Sequence, residues 1–310
     1  MRPVLVVTLC LAASLHLAGA QPAPTKPAPA LPLESVIVTA TKPSEAAIKT
    51  FVETRAAPTP ILGRMARWTS KICPKTVGLG DTYAKYVTQR IRDIASAAGV
   101  PVNGDSACRP NIEVVFTTTP QGLMDTVRAG APLLLGYHHT LSQADELAKV
   151  THPIQAWYTT TSQDINGNRN IDAGRCGPGG AAVSPELELP CVIVVHSNGS
   201  RAKDGLSSGF FNILIVAEPA KLSDYEVGSL ADYITMLALS QPASLDSCQE
   251  LPSVSNMLAP DCASTTRRIT DGDLAYLHAL YKLPDGNFLA VQRDYIRDEM
   301  EGTLVAGKGR

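Results

Sequence analysis

Residues 223–241 read SDYEVGSLADYITMLALSQ, and the predicted fold depends most on this segment. Ser223 supplies a hydroxyl at a helix start and Glu226 a carboxylate three residues later, the pattern of a capping box. We therefore expect a helix from there to about Ser240. Its buried face is predicted from the apolar residues at helical spacing, which are Val227, Leu230, Ile234, Leu237 and Leu239.

A second capping box begins at Thr270 and ends at Asp273, and it predicts another helix from Leu274 to Leu283. The segment SVSNMLAP, residues 253–260, lies between the two predicted helices and has Met257 near its middle.

This succession resembles the metzincin zinc proteases, matrixin-like ones in particular. In that family a helix carrying H-E-x-x-H-x-x-G-x-x-H precedes a Met-containing turn and a last helix with an early Asp and a late Leu-Tyr pair. Met257 matches the turn, and the last helix is matched by Asp273, Leu277 and Leu280-Tyr281. The resemblance covers most of residues 68–283. It implies a zincin-like mixed sheet with packed helices. The order of the predicted elements indicates the α+β fold class, and bridges between cysteines would stabilise this fold.

The zinc-binding residues of that family are missing here. Aligning Leu237-Ala238-Leu239 with the family's usual L-G-L puts Ala231 and Thr235 at the first two histidines, Asp232 at the glutamate and Gln241 at the third histidine. A catalytic zinc needs neutral imidazoles and an open position for water. Without the metal, Asp232 has no activated water to deprotonate. The resemblance therefore implies a pseudo-metalloprotease without catalytic residues, whose former substrate cleft binds a peptide or protein partner.

The alternative function is a hydrolase with unrecognised catalytic residues, around His196 or His138. His196 ends a predicted strand and can act as a base if a carboxylate lies beside it. His138 and His139 are adjacent, so on an extended chain they face opposite ways and do not share a metal. The letters G-x-S-x-G at residues 205–209 are not read as a nucleophile elbow, because a strand is predicted after them instead of a helix.

The chain also resembles uncharacterised exported proteins of Gram-negative bacteria. The matching residues are Cys73-Pro74, Ala156-Trp157-Tyr158 and Ala231-Asp232-Tyr233. This resemblance implies no activity.

The first twenty residues are typical of a signal peptide. Arg2 is followed by an apolar run from Val4 to Leu17 and by Ala18-Gly19-Ala20, so cleavage is expected before Gln21. The run is too short to span a bilayer comfortably and no later segment is longer, so we expect export to the periplasm or beyond and no membrane anchor.

Residues 21–43 form a predicted Pro/Ala-rich linker, and residues 44–310 a single α+β domain. Within the linker, the β-branched stretch Val36 to Thr41 resembles the TonB box of outer-membrane receptors, which adds a strand to a periplasmic partner. A first strand of the domain or a disordered tail are the alternatives for this stretch.

Six cysteines remain after removal of Cys10 with the signal peptide, and an even number in an exported chain predicts disulfides. Fifteen pairings are possible in principle. The short separations favour Cys176 with Cys191 and Cys248 with Cys262, which leaves Cys73 for Cys108. Metal ligation is the rival use, but no C-x-x-C pair occurs.

A calcium loop is a candidate at residues 164–172, where oxygen side chains recur as in a dockerin or EF-hand loop. The candidate ligands are Asp164, Asn166, Asn168 and Asp172. Arg169 stands where the loop needs Gly, and Arg175 stands in place of the bidentate Glu. A polar turn between strands explains the composition equally well, and no other cofactor is expected.

The remaining elements are predicted from periodicity and β-propensity. Helices are expected at residues 44–55, 81–99 and 120–128, and strands at residues 111–117, 154–161, 191–197 and 210–217. In the second helix, Tyr83, Val87, Ile91 and Ile94 are predicted to be buried. The net charge of −2 and the aromatic content of 5% argue against a nucleic-acid partner.

Overall fold

The central strand of the sheet, β6 (Ser207–Ala217), is buried along nearly its whole length. Successive side chains of a strand point to opposite faces of the sheet. Ile213 and Ile215 join one apolar cluster, whereas Leu214 and Val216 join a second. Apolar residues at consecutive positions therefore require that both faces be covered.

The computed structural model describes residues 43–105, 107–172, 196–197, 203–262 and 266–306. They lie in one compact unit, Lys42–Arg310. The sheet has the order β2-β3-β6-β4-β5, and β1 also pairs with β6. Strands β1, β3 and β6 run parallel, as do β2 and β3, whereas β4 is antiparallel to β6 and β5. The strands before β6 are β1 (Ala66–Arg67), β2 (Pro74–Val77), β3 (Ile112–Phe116), β4 (Ile154–Gln163) and β5 (Arg169–Ile171).

Helices pack on both faces of this sheet. The described residues contain α1 (Glu45–Arg55), α2 (Asp81–Ala97), α3 (Pro120–Gly130), α4 (Leu141–Leu147), α5 (Val227–Leu239), α6 (Asp271–Lys282) and α7 (Leu289–Ala306). The larger core contains residues of α1, α2, α5, α6 and α7 together with Ile213 and Ile215. The smaller core joins Met124 of α3 and Ala144 of α4 to Trp157 and Leu214.

The predicted α+β class is confirmed, with a mixed sheet and two of the expected disulfides. Cys73 is bonded to Cys108, and Cys248 to Cys262, with Cα atoms 6.1 and 5.4 Å apart. Such bridges indicate an oxidising environment outside the cytoplasm. Cys176 and Cys191 lie outside the described residues, as does most of the predicted strand 191–197.

Two local predictions are wrong. Helix α5 does not begin at the Ser223 box: its N-cap is Glu226, which makes no side-chain capping bond, because the chain first turns and Tyr225 N donates to Leu222 O. In α2, Val87, Ile91 and Ile94 are buried as predicted, but Tyr83 is 56% exposed. The capping box of α6 is confirmed, with the helix beginning at Asp271.

None of the helices in the described residues is both long enough and apolar enough to cross a membrane.

Candidate functional site

Helix α5 carries three of the positions at which the zincin resemblance places zinc ligands and the catalytic glutamate. Every residue from Ser229 to Leu239 is buried. Its last carbonyls are bound by side chains from other elements. The Trp68 indole donates to Ala238 O, and the Tyr281 hydroxyl to Leu239 O, both at 2.8 Å. These positions therefore face packed neighbours and not an open cleft.

Ala231 and Thr235 are one turn apart on α5 and both are fully buried. Thr235 Oγ1 donates to Ala231 O at 2.7 Å, so the hydroxyl is bonded within the helix. Gln241 lies two residues beyond α5, where its backbone oxygen accepts from Ala57 N at 3.3 Å and its side-chain oxygen is enclosed without a partner. The structure thus places two of the three positions on one helix face, and Gln241 at the junction with α1.

Asp232 is the centre of a buried ion-pair cluster. Its carboxylate accepts from Arg90 Nε at 2.5 Å, from Arg268 Nε at 3.0 Å and from the Ile269 amide at 2.9 Å. Burial raises the pKa of Asp232, but these three hydrogen bonds outweigh it, and the pKa lies below its ordinary value. A carboxylate held in this way is a poor general base, because its lone pairs are directed at fixed donors.

Met257 lies in a short 3₁₀ helix, Val254–Leu258, that packs against α5. It is buried, and its backbone oxygen accepts from the Tyr225 hydroxyl at 3.3 Å. This segment is joined to α6 through Asp273, which accepts from Ser253 Oγ at 2.5 Å and from Val254 N at 2.9 Å. Burial raises the pKa of Asp273 and these bonds oppose the rise.

The candidate calcium loop forms the turn between β4 and β5. The Asp164 carboxylate accepts from the amides of Asn166 and Asn168 at 2.9 Å and from Asn168 Nδ2 at 3.0 Å. Asp172 is buried and accepts instead from Thr160 Oγ1 at 2.6 Å. The structure brings Asp164, Asn166 and Asn168 together, but in a hydrogen-bonded turn. Asp172 shares no hydrogen-bond partner with this turn.

His196 lies beside that turn. Its Nδ1 is 3.0 Å from Asp164 Oδ2, and its side chain is 59% exposed. Burial raises the pKa of Asp164, but its hydrogen bonds hold it well below the ordinary value. The carboxylate that a histidine base requires is therefore present. No nucleophile among the described residues is hydrogen-bonded to His196.

The other candidates do not converge. His138 is buried and its Nδ1 contacts Gly136 O at 2.8 Å, whereas the ring of His139 contacts the Tyr137 hydroxyl. Ser207 of the G-x-S-x-G letters is the first residue of β6. Over the described ranges, no three His, Cys, Asp or Glu side chains are placed to hold a metal ion.

Arg55 is a buried cation that sequence reasoning missed. It is 3% exposed, its Nε is enclosed without a hydrogen-bond partner, and burial lowers its pKa. Leaving a buried charge unpaired costs several kcal/mol. The position of Arg55 in the last turn of α1 stabilises its charge by only about 0.3–1 kcal/mol. The Phe51 ring, whose centroid lies 5.9 Å from Arg55 Cζ, stabilises it by about 0.5–2 kcal/mol. An arginine ending a helix is normally solvated, so the sequence holds no signal for it.

The predicted signal peptide and the stretch Val36 to Thr41 lie outside the described residues and stay predictions. Comparison of the chain with models of protein families, with curated proteins and with solved structures finds no match.

Proposed function

We propose that the chain is a non-catalytic exported protein on a zincin-like scaffold, and that it binds a peptide or protein partner. The observation that carries the proposal is the state of Asp232. At the position of the catalytic glutamate it is fully buried and bonded to two arginines, with buried Ala231 and Thr235 on either side. These residues stabilise a core and offer nothing to a metal.

The elements after β6 support the zincin-like scaffold. Helix α5 is followed by the Met257 segment packed against it, and then by α6, which has Asp273 near its start and Tyr281 near its end. Tyr281 bonds to the last residue of α5, and Asp273 to the Met257 segment. The residues that carry the resemblance therefore connect the three elements to one another.

The partner surface is proposed at Tyr83, Tyr86 and Arg268, next to Asp232. We call these three residues the tyrosine surface. Tyr83 is 56% exposed and Tyr86 43%. The Tyr86 hydroxyl and Arg268 Nη1 both lie within 3.3 Å of where a Cβ on Gly228 would stand, so both side chains reach the space above that glycine. Exposed tyrosine and arginine are the residues enriched at the energetic centres of protein interfaces.

The absence of catalysis is tested by metal analysis and peptidase assays on the purified protein. We expect less than stoichiometric zinc after dialysis against zinc, and no cleavage of protein or peptide substrates. Stoichiometric zinc, or cleavage abolished by a zinc chelator, contradicts the proposal.

Partner binding is tested by selecting a displayed random-peptide library against the protein. Selected peptides should bind the Tyr83→Ala/Tyr86→Ala variant at least about tenfold more weakly, since such residues contribute about 1–2 kcal/mol or more each. Leu141→Ala is the matched control, because Leu141 is 47% exposed on α4. Equal binding by all three proteins contradicts the tyrosine surface.

A second candidate function, a hydrolase, is favoured by the His196 and Asp164 pair. An aspartate that accepts from Nδ1 leaves Nε2 as the basic nitrogen, the arrangement of a general base. Screening with esterase and peptide substrates tests it. Activity that His196→Ala and Asp164→Asn each abolish supports a hydrolase, and uniform inactivity contradicts it.

A further inference from the structure

We propose that the tyrosine surface recognises an acidic peptide, and that Arg90 and Arg268 bind one of its carboxylates beside Gly228. The ligand group is the side chain of an aspartate or glutamate in the partner. This inference rests on the proposed partner surface and adds the chemistry of what binds there.

One buried carboxylate holds two guanidiniums at a single site. Arg90 Nε lies 2.5 Å from Asp232 Oδ1, and Arg268 Nε lies 3.0 Å from Asp232 Oδ2. Arg90 belongs to α2, and Arg268 to the segment before α6. Because both oxygens belong to the same carboxylate, the two guanidiniums lie close together although they are distant in the sequence.

Asp232 occupies only the Nε of each arginine. Within the described ranges, the Nη nitrogens of Arg90 and Arg268 have no hydrogen-bond acceptor, and none of them is among the enclosed atoms. They are therefore open to solvent, and the two side chains are 27% and 55% exposed. A guanidinium directs planar N–H donors that match the oxygens of a carboxylate. The Nη nitrogens of both arginines thus remain for a ligand.

The charge around Asp232 is positive on balance. Its single carboxylate faces two guanidiniums, and no other carboxylate of a described residue lies within 4.0 Å of either. Arg267 is exposed next to Arg268 and makes no ion pair with a described residue, and its Cζ lies 5.9 Å from the centroid of the Tyr225 ring. The start of α5 adds the positive end of a helix dipole. This surface therefore complements an acidic partner.

Gly228 leaves open the space that the carboxylate enters. It is the second residue of α5, and a Cβ there would stand 3.2 Å from Arg268 Nη1 and 3.3 Å from the Tyr86 hydroxyl. Two donors therefore reach the space that any larger side chain would fill. Tyr86 precedes Arg90 by four residues on α2, so the phenol and the second guanidinium share one helix face. A carboxylate bound here lies beside an exposed tyrosine, which contacts the rest of the peptide.

The test uses two displayed peptide libraries that differ at one fixed position, glutamate in the first and glutamine in the second. Asp and Glu are excluded from all other positions. Peptides selected from the first library are synthesised with blocked ends, so that the fixed glutamate carries their only carboxylate. Calorimetric titration of the purified protein should show at least about tenfold weaker binding when this glutamate is replaced by glutamine, because hydrogen bonds to a charged group are lost.

Two variants should abolish this preference for glutamate. Arg268→Gln removes one guanidinium and leaves Asp232 bonded to Arg90 and to the Ile269 amide. Gly228→Ala fills the space for the carboxylate and keeps every charge. It should not lower the Tm, because Ala is favoured over Gly within a helix and the atoms that it meets are the ends of flexible side chains. Gly228→Ala therefore carries the test if Arg268→Gln does not fold.

Arg297→Gln is the matched control, since Arg297 is also a partly exposed arginine paired with carboxylates, those of Asp294 and Asp298. It should keep the wild-type preference. A preference that Arg268→Gln and Gly228→Ala both retain overturns the inference. Peptides that bind equally well with glutamate or glutamine, and lose binding to Tyr83→Ala/Tyr86→Ala, overturn the inference and leave the proposed function standing. Failure to select any peptide from either library contradicts both.

Discussion

Asp232 shows how a single buried charge can become a structural requirement. Its carboxylate lies at the contact between α2 and α5, and its two arginines come from 142 residues before it and 36 residues after it. Arg90 and Arg268 are 27% and 55% exposed, so water solvates part of each. The carboxylate is fully enclosed, and it depends on these two arginines and on the Ile269 amide.

Asp232→Asn should lower the free energy of unfolding at neutral pH by about 3 kcal/mol, because it removes the charge that two arginines share. The pKa of Asp232 is lowered in the folded state, so its contribution is present above the ordinary aspartate pKa of about 4 and is lost as the pH falls through the lower folded value. Urea unfolding from about pH 6 to about pH 3 should therefore show a shallower loss of stability in the variant.

The matched control for this measurement is Asp93→Asn. Asp93 is an exposed carboxylate on α2, the helix that also carries Arg90, and it accepts a hydrogen bond from Gln89 Nε2. Its effect should stay within about 0.5 kcal/mol. If the Asp232 variant is as sensitive to acid as the wild type, the ion-pair account of this cluster is wrong.

At the scale of elements, Gly78 determines how β2 passes into α2. It follows the last residue of β2 with φ +85°, and a Cβ there would stand 1.9 Å from Phe116 O at the end of β3. Gly78→Ala should lower the free energy of unfolding by at least about 3 kcal/mol, since strain and a backbone clash add. Denaturant unfolding measures the loss.

Gly63→Ala separates the effect of backbone strain from the effect of the backbone clash. Gly63 has φ +63° but no atom within 4 Å of its would-be Cβ, so only the conformational cost of about 1–2 kcal/mol applies. Equal losses in the two variants would show that close approach to β3 contributes nothing.

Local signals in the sequence predicted several of the helices that keep one polar face. The spacing of Val87, Ile91 and Ile94 predicted α2, and the box at Thr270 predicted α6. The start of α5 was missed because this helix is buried on all sides, so its pattern gives no polar face from which to judge the first turn. Helix α7 was missed although Ile296 and Met300 are buried at i, i+4 spacing, because charged residues surround them.

The candidate sites were less predictable than the elements, because they join distant parts of the chain. The prediction for His196 required a carboxylate beside it, but the sequence did not identify which one. In the structure this carboxylate is Asp164, from the β4–β5 turn. Nothing local in the sequence marks Arg55 as buried. Contacts of this separation follow from the packing of whole elements, and single-sequence periodicity does not carry that information.

For the molecule as a whole, the two described disulfides should contribute different amounts to the free energy of unfolding. Cys73–Cys108 closes a separation of 35 residues and Cys248–Cys262 one of 14. Chain entropy then predicts losses of about 4 and about 3 kcal/mol on removal. Thermal unfolding of Cys73→Ser/Cys108→Ser and Cys248→Ser/Cys262→Ser tests this order, and a larger loss for the second pair would contradict it.

The central place of β6 has a kinetic consequence. It pairs with β1, β3 and β4, yet it follows all of them in the sequence. Until residue 217 has been synthesised, β2 with β3 and β4 with β5 are separate ribbons without the strand that unites them. Such late, long-range pairing makes folding slow.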